Sequence, residues 1–127
     1  MRRPGAILNW LAAAGWAALI FYFSSRPNLS TNLGAWDYVL RKLAHMTVFG
    51  VLCLLLWQAL RQHSKSAKAA LALAAILALA YAVSDEYHQS FVPTRSGRVV
   101  DVGYDLAGIC IVVVLIARFY LGRRRAA

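Results

Sequence analysis

Four stretches of this chain, residues 6–23, 43–60, 69–83 and 102–121, are apolar and almost free of charge, with only His45, Asp105 and Arg118 near their ends. Hydrocarbon offers the backbone no hydrogen bonds, and a helix needs roughly 17–25 residues to cross about 30 Å of it, so such stretches commit the chain to membrane-spanning helices. The fold class that follows is all-α. We expect a polytopic bundle of four transmembrane helices at about 6–23, 43–60, 69–89 and 102–121, forming one domain over residues 1–127. The composition agrees, since 61% hydrophobic residues and a mean hydropathy of +0.56 are too apolar for an ordinary soluble domain of this length. Arg2-Arg3 before an apolar run has the look of a signal peptide. The run is long for one, however, and no Ala-x-Ala site precedes the next loop, so it reads as a retained first helix. Pro27 disfavours helix at Arg26, and Asn28, Asn32 and Gly34 are further breakers, so helix 1 stops near Phe23.

The net charge of +9 suggests phosphate binding, but its distribution excludes nucleic acid as the partner. With four crossings, Arg2, Arg3, Arg61, Lys65, Lys68, Arg118, Arg123, Arg124 and Arg125 share one side. Arg26, Arg41, Lys42, Arg95 and Arg98 share the other, and this nine-to-five bias places both termini and the 61–68 connector in the cytoplasm. All five acidic residues, Asp37, Asp85, Glu86, Asp101 and Asp105, fall in or beside the two outer loops. Acids steer topology weakly, so their segregation carries separate information. Trp10, Tyr22, Trp36, Trp57, Phe91 and Tyr120 lie near block ends, where aromatic rings settle at headgroup depth. Cys53 and Cys110 lie mid-helix without metal-site spacing and read as small buried hydrophobes.

Helical periodicity aims several polar residues inward. Ala70, Ala74, Ala78 and Ala82 form a small-residue stripe of the kind that lets helices approach closely in lipid. Extended along helix 3, that stripe carries Asp85 near its centre with Tyr81, His88 and Gln89 inside its limits, and Glu86 falls just past its edge. Helix 2 puts Arg41, Lys42 and His45 on one face with Phe49, Leu52 and Leu56, and helix 4 aligns Asp101, Asp105 and Gly108. Three helix ends therefore present polar groups at similar depth.

Ionisable groups at membrane depth are costly, which makes this cluster the candidate site. Asp85, Glu86, His88, His45 and Asp105 are the candidate acid–base groups or metal ligands, and Lys42, Gln89, Arg95, Arg98 and Asp101 the candidate binding residues. A divalent metal is one option, although no zinc spacing such as His-Glu-x-x-His occurs. Plainer readings stand beside these. Asp85 and Glu86 end helix 3 and pair with Arg95, Arg98 or Lys42. Asp101 caps helix 4. Asp105 pairs with Arg41, Lys42 or Arg95. His63 is a solvated residue of the inner loop. Arg95-Ser96-Gly97-Arg98 presents two guanidinium forks suited to an anionic headgroup, or else balances the neighbouring acids.

The ordered set Lys42-x-x-His45 with Phe49-Gly50, then Asp85-Glu86-x-His88-Gln89-x-Phe91-x-Pro93-x-Arg95, then Asp101-x-x-x-Asp105-x-x-Gly108 resembles the VanZ family of membrane proteins. That family is named after a protein associated with teicoplanin resistance. It commonly reads Pro-Gly-Arg where this chain has Pro93-Thr94-Arg95, and Asn where it has Asp105. The first change stiffens a turn and the second adds a possible negative charge. The resemblance implies a multi-pass protein of the bacterial inner membrane, related to the cell envelope and antibiotic resistance. Two functions compete. In one, the outer polar cluster engages an anionic amphiphile, such as a membrane lipid phosphate, a lipid-linked envelope precursor or a lipoglycopeptide antibiotic. In the other, the same groups form a noncatalytic ion-pair network that sets helix register. A proton-linked transporter ranks third, because the charges gather at one end and no inverted repeat is visible.

Overall fold

The computed structural model of the chain describes residues 4–27 and 32–123. Four helices run through them: α1 (Pro4–Ser24), α2 (Ala35–Leu60), α3 (Ala67–Gln89) and α4 (Val99–Ile116), the last continuing into one π-type turn over Ala117–Leu121. All four are long and apolar enough to cross a membrane, and no strand occurs among the described residues, so the all-α, four-span expectation holds. Arg2, Arg3, Asn28, Arg124 and Arg125 lie outside the described residues.

One boundary differs from the expected 43–60. Helix α2 begins at Ala35, eight residues earlier, on a Gly34 backbone whose φ of 58° favours glycine. Asp37, Arg41 and Lys42 interrupt the apolar run there, but hydropathy reports depth in hydrocarbon, and a helix can continue through the interface as an amphipathic rod. At 26 residues α2 is about 39 Å long, enough to stand proud of the apolar slab. Helix α3 starts cleanly, with the Ser66 hydroxyl accepting the Ala69 N–H at 3.2 Å.

Helix α2 packs on all three others, whereas α1 touches α3 only lightly. The core joins Phe49, Leu52, Cys53 and Trp57 of α2 to Ala70, Leu71, Ala74, Ala78 and Ala82 of α3 and to Ile109 of α4. The alanine stripe is therefore the buried face of α3. Cys110, by contrast, is exposed on the outside of the bundle rather than buried as expected. Large apolar side chains such as Leu8, Leu11, Ile76 and Val114 are likewise exposed, as a lipid-facing surface requires. Where apolar contact with lipid is as good as contact with protein, side-chain hydrogen bonds to backbone help to place α1. Trp16 Nε1 donates to the Val48 carbonyl at 2.9 Å, and the Tyr81 hydroxyl to the Ala17 carbonyl at 2.7 Å.

The closest approach is between α2 and α4. A Cβ on Gly50 would sit 3.1 Å from the Gly108 carbonyl oxygen, and a Cβ on Gly108 would run into the backbone carbonyl of Met46. The two backbones touch there, as small residues at a membrane crossing allow. Gly108→Ala is expected to force the helices apart and destabilise the fold by about 1–3 kcal/mol, as overpacking does. Gly103→Ala, a glycine of the same helix with open space around it, is expected to be neutral or slightly stabilising. Reversible unfolding in mixed detergent micelles compares the two.

Candidate functional site

Above the glycine contact, each helix delivers polar groups at the spacings the sequence predicts. Helix α2 supplies Lys42 and His45, α3 supplies Asp85, Glu86 and Gln89, and α4 supplies Asp101 and Asp105. All of these except His45, which is partly buried, are buried, and Asp105 is 0% exposed. Lys42 Nζ contacts Asp101 Oδ1 directly and lies over the rings of Tyr38 and Tyr104, 5.0 and 5.2 Å from their centroids. His45 Nδ1 lies 3.0 Å from Asp105 Oδ1 and 3.8 Å from Glu86 Oε1. Asp85 Oδ2 accepts from Gln89 Nε2 at 2.9 Å.

The segment between α3 and α4 folds back over this cluster. Glu86 Oε2 accepts the backbone N–H of Arg98 at 3.0 Å, tying the end of α3 to the start of α4. Gly97 rests on the Glu86 carbonyl so tightly that a Cβ would collide with it. Thr94 takes a φ of 67°, a left-handed conformation that costs a β-branched residue on the order of 1–3 kcal/mol. The expected stiff turn is thus a strained one. Burial and the nearby Arg41 hold the Arg95 guanidinium below its usual pKa.

Several plainer readings fall to this geometry. Asp101 is not the cap of α4: Arg98 occupies that position with no side-chain cap bond, and Asp101 sits in the first turn bound to Lys42. Asp105 is bonded to His45 rather than to Arg41, Lys42 or Arg95. His88 stands apart from the other candidates. It faces α1, with Nε2 3.0 Å from the Ser25 hydroxyl and its ring stacked 4.8 Å from that of Phe21. His63 is not merely solvated, since its Nε2 accepts from Trp10 Nε1 at 3.3 Å.

Beside the cluster, between α1, α2 and the α3–α4 segment, lies a cavity of about 570 Å³. Its apolar wall is built by Trp16, Leu19, Ile20 and Phe23 of α1 with Val48 and Phe49 of α2. Its polar part carries Arg41, Lys42, Arg95 and Arg98 together with Asp37, Asp85 and Asp101, and also His45 and Gln89. Ser24, whose hydroxyl is buried without a hydrogen-bond partner, also lines it. The α1 wall, Ser24 and the tyrosines flanking Lys42 are contributions that helix-face analysis of the polar residues did not single out. A signal for the tyrosines exists in Tyr38, four residues before Lys42, and Tyr104, three after Asp101.

Among the described residues, the group able to converge on a metal ion is His45, Glu86 and Asp105, whose ligating atoms lie within 4.8 Å of one another. Asp85 and His88, the other candidate ligands, lie outside it, as does Asp101. Glu86 Oε1 and Asp105 Oδ2 are buried with no hydrogen-bond partner in the protein. A buried ion pair such as Lys42–Asp101 is costly to break from one side. Lys42→Met is expected to destabilise by about 3–5 kcal/mol, because Asp101 is left as an uncompensated buried charge, and Lys42→Met with Asp101→Leu to recover most of that loss. Detergent-unfolding midpoints of the single and double variants measure it.

Residues 7–120, nearly the whole chain, match the family model described as VanZ/LLP1. No curated protein and no solved structure matches the chain. The four apolar helices and the family match agree with the ordered Lys-His, Asp-Glu and Asp-Asp motifs that meet at one end of the bundle, and the chain belongs to the VanZ/LLP1 family.

Proposed function

We propose that this VanZ/LLP1 family member resides in the bacterial cytoplasmic membrane, with both termini cytoplasmic, and binds an anionic amphiphile in the cavity beside its polar cluster. The carrying observation is the two-part lining of that cavity. One wall is made of α1 and α2 apolar residues, and the polar part carries Arg41, Arg95 and Arg98 beside Asp37 and Asp85. An acyl or prenyl chain would lie on Trp16, Leu19, Ile20 and Phe23, and a phosphate or carboxylate would meet the guanidinium forks, which bind such groups bidentately. A lipid phosphate, a lipid-linked envelope precursor and a lipoglycopeptide share this chemistry. His45 and Asp85 also line the cavity and stand where an acid–base group would meet the headgroup. The pairing of Lys42 with Asp101 favours a structural role for those two residues, so that part of the cluster fits the alternative reading of an ion-pair network.

Retention of phosphatidic acid and of the uncharged diacylglycerol by the detergent-purified protein, read by native mass spectrometry, tests the binding reading. Phosphatidic acid is expected to bind preferentially. Replacing Arg95 and Arg98 by Ala should weaken it about ten-fold or more, since a hydrogen bond to a charged group contributes about 1.5–3 kcal/mol. Equal retention of the two lipids, or no effect of the double variant, would contradict it. The orientation is checked by impermeant maleimide on intact cells. Ser96→Cys should label from outside and Ser64→Cys only after permeabilisation, both positions being exposed at opposite ends of the bundle.

A further inference from the structure

We propose that His45, Glu86 and Asp105 form a binding site for one divalent first-row transition ion, such as zinc or manganese, enclosed between α2, α3 and α4. The proposal does not depend on what fills the adjoining cavity. One imidazole nitrogen and two carboxylate oxygens arrive from three different helices, with all three ligating atoms within 4.8 Å of one another. An ion with bonds of about 2.0–2.2 Å holds neighbouring donors roughly 3.0–3.5 Å apart. His45 Nδ1 and Asp105 Oδ1, at 3.0 Å, already have that spacing, and the ion would replace the proton shared between them, which is released to solvent. His45 Nδ1 and Glu86 Oε1, at 3.8 Å, reach it with a small rotation of the Glu86 side chain.

The two carboxylates point to an absent partner independently of this spacing. Glu86 is 5% exposed and Asp105 0%, and each has one oxygen held and one orphaned. Glu86 Oε2 takes the Arg98 N–H and Asp105 Oδ1 meets His45, which leaves Glu86 Oε1 and Asp105 Oδ2 buried without hydrogen-bond partners, the nearest cationic group to Glu86 Oε1 being His45 Nδ1 at 3.8 Å. A buried unsatisfied carboxylate oxygen is costly, and two in one pocket more so. The bond from Arg98 to the back of Glu86 is the kind of outer-shell contact that orients a ligand. Lys42 cannot neutralise the pair, because it is engaged by Asp101. A divalent cation balances both charges at once. The nitrogen donor favours a transition ion over magnesium or calcium, and the absence of a thiolate at the site disfavours a soft ion such as copper(I). Three protein ligands leave coordination positions open, and His45 also forms part of the cavity wall, so the ion would lie against that cavity.

The test uses the full-length protein in detergent, stripped with chelator, incubated with excess zinc or manganese, desalted, and assayed for metal per chain by mass spectrometry. About one ion per chain is expected in the parent protein. Glu86→Gln and Asp105→Asn, which preserve shape, should lose at least the roughly ten-fold in affinity that even outer-shell changes produce. His63→Ala, at the far end of the bundle, should retain the metal in full. Gel filtration and helix content confirm that each variant is folded. Cobalt gives a second readout that needs no loss of binding: His45→Cys should add a sulfur-to-cobalt charge-transfer band to the near-ultraviolet spectrum. Parent protein that retains no metal, or equal retention in the parent and the Glu86 and Asp105 variants, would overturn the proposal and leave the two carboxyl groups to be satisfied by protons.

Discussion

Where Gly108 packs against the Met46 carbonyl, α2 and α4 come as close as two helices can, and that contact sets the depth and separation of every polar group above it. One residue from Met46 stands His45, and one turn before Gly108 stands Asp105. Their 3.0 Å contact follows from backbone proximity. A further turn out, the same pair of helices brings Lys42 to Asp101. In a bilayer no general hydrophobic force pushes helices together, so close van der Waals contact of this kind and the hydrogen bonds it permits provide the association.

Helix α3 completes the arrangement through its alanines. Ala74, Ala78 and Ala82 are fully enclosed, and the close packing they permit carries Asp85 and Glu86 to the level of His45. The result is a concentration of carboxylates in a low-dielectric setting, where unpaired charge is strongly unfavourable. Each carboxylate is answered differently: Asp101 by a lysine between two tyrosines, Asp85 by Gln89, and Glu86 and Asp105 by one shared histidine. The shared histidine answers two acids with at most one charge. That imbalance lies beside a cavity with an apolar wall and a polar part that carries three arginines.

Much of this was legible because membrane helices obey two simple periodicities, apolar length and small-residue stripes. Spacings of three and four aligned Lys42 with His45 and Asp101 with Asp105, and the alanine stripe pointed Asp85 inward. What periodicity could not supply was which neighbour lies on which side of α3. At about 100° per residue, Glu86 is displaced from Asp85 in one sense and His88 in the other. The structure puts α4 on the Glu86 side and α1 on the His88 side, so His88 meets Ser25 and Phe21 rather than the carboxylates. The start of α2 was missed for a related reason: charged residues mark the edge of hydrocarbon, not the end of a helix. The cavity wall from α1 is a tertiary feature with no local signature beyond ordinary lipid-span residues.

The central claim is that His45 and Asp105 act as one unit across the α2–α4 contact. A double-mutant cycle with His45→Ala, Asp105→Ala and the double variant, measured by reversible unfolding in mixed micelles, addresses it directly. Residues sharing such a network are expected to couple by about 0.5–3 kcal/mol. Effects that simply add, within about 0.3–0.5 kcal/mol, would contradict the account.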